Sequence, residues 1–258
     1  MAPSSSDSSL PEFCYFKPPQ IHLFHESITV DNSSGQIRPR IRFGTGTIIK
    51  SEAKVTAEIN LDGFAVPDNS TGVSALDGML NKFAFYAAFE VRTRVVDAHY
   101  DVYHLTEDVG LALGNALSEA LADKRGITGC GDFSAVHDEA LVQVSLDLSG
   151  GPHFSCVLSI AEERFETYDP QLVVPFFGSL VKASGMTVHI QQIAGSTADH
   201  IIEATCKAFA RALRQATEYE TRRGGSLSRF VFSSLIQNVT SYYGHPNRVV
   251  SALKKAQC

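Results

Sequence analysis

The chain has 258 residues, 44% of them hydrophobic and 19% charged, with a formal net charge of −6. That length and balance describe a globular protein with a sizeable core in one or two domains. The acidic balance gives no support to a nucleic-acid partner, which needs a basic footprint, and no apolar run reaches the roughly 20 residues of a membrane span.

Residues 1–10 are Ser-rich, and residues 11–40 carry four prolines with little periodicity, so 1–40 reads as an N-terminal extension, partly disordered. Met1 to Ser9 shows no basic region leading into an apolar stretch, so no secretory signal is expected there. Strands are predicted over 45–49 and over 53–61, the second from the alternation of Val55, Ala57, Ile59 and Leu61. Ser74 to Ala88 has helical spacing in Leu76, Met79, Leu80, Phe83 and Ala84, and Phe89 to Val96 returns to strand. Leu105 to Leu121 is a strong amphipathic helix.

The same order then recurs. Strands are predicted over 139–148 and 153–160, a helix over 172–183, a strand over 186–193, and a second strong helix over 201–217. An offset of 96 or 97 residues superimposes His104 on His200, Glu107 on Glu203 and Gly78 on Pro175. That repeat implies duplicated α/β half-domains over 41–135 and 136–229. A C-terminal tail over 230–258 follows, with one helix predicted at Val231–Tyr242. Five scattered cysteines (Cys14, Cys130, Cys156, Cys206, Cys258) match neither a disulfide framework nor a zinc spacing, which favours a reducing, cytoplasmic location.

Two segments carry the chemistry. Tyr103-His104-Leu105-Thr106-Glu107 and Asp199-His200-Ile201-Ile202-Glu203 each keep a His and a Glu three residues apart at the start of a strong helix. Imidazole and carboxylate on one helical turn can ligate a metal or move protons. Around them stand Glu52, His99, Asp101 and Lys207. A bland account exists for several of these: Glu107 and Glu203 suit a helix N-terminus, and Lys207 has the spacing of a salt bridge to Glu203.

At these residues the chain resembles the imidazoleglycerol-phosphate dehydratases, hydro-lyases of histidine biosynthesis. The resemblance runs over roughly residues 43–229. Its motifs include Ile59-Asn60-Leu61-Asp62-Gly63, Leu76-Asp77-Gly78-Met79-Leu80 and His99-Tyr100-Asp101-Val102-Tyr103-His104-Leu105-Thr106-Glu107-Asp108. It continues through Asp138-Glu139-Ala140-Leu141, Leu146-Asp147-Leu148-Ser149-Gly150, Ser184-Gly185-Met186-Thr187-Val188-His189-Ile190 and Lys207-Ala208-Phe209-Ala210-Arg211-Ala212-Leu213. It implies an α/β (α+β) fold of the ribosomal S5 domain 2-like kind, with each duplicated half a sheet packed with helices. It also implies metal sites of imidazoles and carboxylates shared between subunits.

Against the family pattern, four histidines are replaced, by Gly78, Tyr103, Pro175 and Asp199, while His104, Glu107, His200 and Glu203 remain as residual ligand candidates. Family arginines of the phosphate grip fall on Gly129, Gly151 and Gln191, and the C-terminal lysine loop has become Ser228-Arg229-Phe230-Val231. Paired loss of metal and phosphate groups predicts a repurposed enzyme without a metal cofactor, manganese being disfavoured. It would perform acid/base dehydration, isomerisation or cyclisation on a small molecule, in specialised-metabolite biosynthesis. Its catalytic residues would be Glu52, His104, Glu107, His200 and Glu203, with His99, Asp101, Tyr103, Asp199 and Lys207 binding substrate. Two alternatives stay open: a non-catalytic ligand- or partner-binding relative, and a genuine dehydratase. The weakened shared sites predict a homo-oligomer smaller than the family cage, a trimer.

Overall fold

The computed structural model describes residues 42–50, 53–96, 101–124, 126–149, 151–160 and 169–220. Glu52, His99, the C-terminal loop at 228–231 and the expected helix over 231–242 lie outside them.

The first half contains strands β1 (Phe43–Lys50), β2 (Ala53–Asn60), β3 (Pro67–Ser70) and β4 (Glu90–Val96), with helices α1 (Ser74–Ala87) and α2 (Val102–Leu121). The second contains β5 (Cys130–His137), β6 (Ala140–Asp147), β7 (His153–Val157) and β8 (Thr187–Ala194), with α3 (Val173–Ser184), entered through a 3-10 turn at Pro170–Leu172, and α4 (Ala198–Thr217). The sheets have orders β1-β2-β4-β3 and β5-β6-β8-β7. In each, two antiparallel pairings are followed by one parallel strand. The duplication predicted from the repeat is therefore present strand for strand. The second sheet opens at Cys130, so β5 spans the boundary expected between 135 and 136.

The central strands are the ones whose side chains alternate most cleanly. Val55, Ala57 and Ile59 of β2, and Ala140, Val142, Val144 and Leu146 of β6, all point into the core. One face of each mixed, mainly antiparallel sheet is thus covered while the other meets water. Helix α2 covers β1 and β2, α4 covers β5 and β6, and the halves join where α1 packs on α4 and α2 on α3. Phe209 of α4 sits at that junction, its ring 6.0 Å from Phe83 and 4.8 Å from Phe177. No helix among the described residues is long and apolar enough to cross a membrane.

The offset of 96–97 holds for the later elements, as from β4 at 90 to β8 at 187 and from α2 at 102 to α4 at 198. The opening hairpin obeys a different one, 87, seen from β2 at 53 to β6 at 140. The extra length lies between β7 and α3. With 87 applied, Lys50 falls on His137 and Glu52 on Glu139 in sequence, and Lys50↔Ala53 and His137↔Ala140 are equivalent end pairs of the two hairpins.

Candidate active site

The N-terminal turn of α4 is built against the β5–β6 hairpin. Asp138 and Glu139 form its two-residue turn, and Asp138 adopts φ +47°, a left-handed conformation that Asp tolerates better than most residues. The turn delivers two carboxylates to the helix end. Glu139 accepts a hydrogen bond from Thr197 N (3.0 Å), supplying the cap that Thr197's own side chain does not make. The same carboxylate pairs with His200 Nδ1. His200 Nε2 lies 3.3 Å from Asp138 Oδ2. His137, the last residue of β5, stacks edge-on against His200 with ring centroids 5.4 Å apart.

One turn further along, Glu203 accepts from Lys82 and from the Tyr86 hydroxyl (3.1 Å), both on α1, and lies 3.7 Å from His137 Nδ1. Gly78, Lys82, His137, Asp199, His200 and Glu203 border one cavity of about 430 Å³. A larger, open depression of about 520 Å³ elsewhere is lined by Asp132, Ser145 and Glu218 and holds no imidazole. The imidazoles and their carboxylate partners border the first.

Electrostatics follow the contacts. The hydrogen bond to Glu139 raises the His200 pKa, and that from His200, helped by Thr197 N–H, lowers Glu139. Burial works to raise Glu203, but Lys82, His137 and Tyr86 outweigh it and leave its pKa lowered. Tyr86 is pushed up by burial and then by Glu203.

The stability consequence has two signs. A raised imidazole stabilises the fold below its ordinary value and loses that contribution as pH rises. A lowered carboxylate stabilises above its ordinary value and loses it as pH falls. The pair therefore contributes most between 4.5 and 6.5, the ordinary values of the two groups. Glu139→Gln is expected to bring the His200 titration, followed by NMR on chelator-treated protein, down towards 6.5. An unchanged titration would refute the pairing.

The structure divides the residues expected in one site. His200, Glu203 and Asp199 border the cavity; His104, Glu107, Asp101 and Tyr103 do not. Asp101 caps α2, accepting from His104 N (2.9 Å) and meeting His104 Nδ1 (3.0 Å). The His104 backbone N–H is the main cause of its lowered pKa. Tyr103 is exposed beside Glu107, whose charge raises its pKa.

Lys207 does not bridge to Glu203, which Lys82 holds from α1. It donates to Val136 O (3.2 Å), and its ammonium lies 5.6 Å from the centroid of the Tyr86 ring. His137, Asp138, Lys82 and Tyr86 escaped the sequence reading as site residues. Glu139 was within reach of it, because the hairpin offset of 87 carries Glu52 onto it.

A model of the family described as imidazoleglycerol-phosphate dehydratase matches residues 71–213. The chain belongs to this family. The chloroplastic imidazoleglycerol-phosphate dehydratase 1 of Arabidopsis thaliana is 49% identical over 228 residues, 88% of this chain and 84% of that protein. The chloroplastic enzyme of Pisum sativum is 52% identical over 197 residues, 76% and 70% of the two chains. The crystal structure of the Staphylococcus aureus dehydratase superposes with a TM-score of 0.61 at 32% identity, over 68% of this chain and 99% of that one.

These relatives overturn two expectations. Identity near one half over most of the chain, all to proteins named as dehydratases, contradicts the repurposed enzyme of specialised metabolism. Their chloroplastic names contradict the cytoplasmic location. Both expectations weighed a handful of residues, or a cysteine count, above the bulk of the chain.

The metal-ligand set implied by the family does not fit this dehydratase-family chain. Gly78 and Pro175 offer no side-chain donor. Tyr103 offers a phenol where the family pattern has an imidazole, and Glu203 is engaged by Lys82 and Tyr86. The phosphate grip is altered likewise. Gly129 has φ +82° and ties α4 to β6 through Ala216 O and Leu148 N, and the one cation bordering the cavity among the described residues, Lys82, is paired.

Proposed function

We propose that the chain dehydrates imidazoleglycerol phosphate, and does so in the plastid. The observation that carries this reading is the identity, 52% over 197 residues for the pea protein, with enzymes named for that activity. The plastid location rests on the same relatives, and imaging a fluorescent fusion of the full chain tests it. Dehydration breaks a C–H bond, uses its electron pair to form the double bond, and expels the neighbouring hydroxyl as water. The first step needs a base and the last an acid or another means of stabilising the departing oxygen. The cavity supplies both residue types, with His137, His200 and Asp199 all on its wall.

The deciding experiment mixes the purified full chain with imidazoleglycerol phosphate and added manganese and follows product formation. Turnover supports the proposal. Complete absence of turnover, in protein shown to be folded, overturns it. A second reading, a non-catalytic relative that binds a ligand or partner, is favoured by one observation: Lys82 and Tyr86 occupy the carboxylate of Glu203. Binding of the substrate without conversion is the result that selects it.

A further inference from the structure

We infer that the chain holds a divalent transition-metal ion on His137, Asp138 and His200, a ligand set displaced onto the β5–β6 hairpin. Both imidazoles aim Nε2 at the same carboxylate oxygen: Asp138 Oδ2 is 3.3 Å from His200 and 3.9 Å from His137. One ligand atom from each of the three residues lies within 4.8 Å of the others. Bonds of roughly 2.0–2.2 Å to a central ion require only a small contraction of that triangle.

The other edge of each ring is equally telling. His200 turns Nδ1 to the Glu139 carboxylate, and His137 turns Nδ1 towards Glu203, 3.7 Å away. A ligating imidazole characteristically donates its second N–H to a carboxylate, which fixes the tautomer and strengthens the metal-facing nitrogen. Here His200 has that partner in Glu139, and Lys82 and Tyr86 anchor Glu203 within ion-pair reach of His137. Glu203 is then a positioning residue rather than a ligand.

Two imidazoles and one carboxylate favour a first-row transition ion over magnesium or calcium, which take oxygen ligands. Three protein ligands leave positions open, and His137 and His200 both border the cavity beside Asp199. Gly78 lines the same space, with nothing within 4 Å of where its Cβ would be, so the cavity has room for an incoming oxygen ligand. When bound, such an ion supplies Lewis-acid stabilisation of a substrate oxygen. The hairpin ties the ligands together in sequence: His137 and Asp138 are consecutive, and Glu139 both caps α4 and orients its His200.

The inference reaches beyond the dehydratase reading, and its test does not use turnover. Full chain stripped with chelator is titrated with Co(II), following visible absorption, and with Mn(II), with bound metal counted by elemental mass spectrometry. One ion per chain is expected. His137→Ala and Asp138→Asn should each weaken Co(II) binding by more than the roughly 10–100-fold typical of losing an outer-shell partner, and Glu203→Gln by about that amount. His153→Ala, on β7 outside the cavity, should leave affinity unchanged. Circular dichroism confirms folding, and His137→Gln replaces any alanine variant that does not fold. No uptake by the wild-type chain overturns the inference. So does uptake unaltered in the His137 variant, which would place the ion elsewhere.

Discussion

Replacing His200 with alanine is expected to lower dehydratase turnover by about 10²–10⁴-fold, the range associated with a positioned acid, base or ligand. The contacts of His200 span the site. It pairs with Glu139, faces Asp138, stacks on His137 and borders the cavity. The measurement is steady-state kinetics on imidazoleglycerol phosphate, with melting temperature as the folding control. His200 lies on the first turn of a long helix whose packing face is built from Ile201, Ala204, Ala208 and Phe209, all buried. Truncating its ring therefore removes chemistry without opening the core. A variant with wild-type turnover would take His200 out of the reaction.

Gly131→Val is expected to prevent folding. A Cβ added at Gly131 would sit 1.9 Å from Ala212 O and 2.8 Å from Ala212 C. Those are backbone atoms in the middle of α4, so relief requires moving the helix off its sheet. Costs above about 4–5 kcal/mol arise from overlaps of this kind, against a total stability of about 5–15 kcal/mol. Gly44 is its counterpart by the hairpin offset, with a Cβ 2.1 Å from Ala116 O, so Gly44→Val should fail in the same way. Gly151→Ala, where an added Cβ meets nothing within 4 Å, serves as the tolerant control. Urea denaturation of the soluble fraction reads all three, and a Gly131 variant as stable as wild type would contradict the close strand–helix seam.

Those glycines also show what the sequence could and could not disclose. Strands β2 and β6 and helices α2 and α4 were legible because burial imposes a period on them, two in the strands and 3.6 in the helices. Strand β5 was not, since Cys130-Gly131-Asp132 pairs weak strand formers along a largely exposed edge. Nor was β3, whose Pro67-Asp68-Asn69-Ser70 is extended only through its parallel pairing with β4.

In the site, His200 and Glu203 were found by helical spacing. Their partners were not, because they arrive from elsewhere in the chain: His137, Asp138 and Glu139 from a hairpin, and Lys82 and Tyr86 from α1, more than a hundred residues away. A local period carries no information about such neighbours. The repeat does carry some, once its two offsets are separated.

The last strand pairs of β1–β2 and β5–β6 differ in one respect. The two frames match in pairing and in their helix seams, yet the first strand of the pair ends in Lys50 in one and His137 in the other. Lys50 is committed to Asp108 at 2.7 Å, whereas His137 looks onto the cavity. The molecule thus carries its own reference state. A property that belongs to the scaffold should be seen twice, once per half, and one that belongs to the imidazole pair should be seen once.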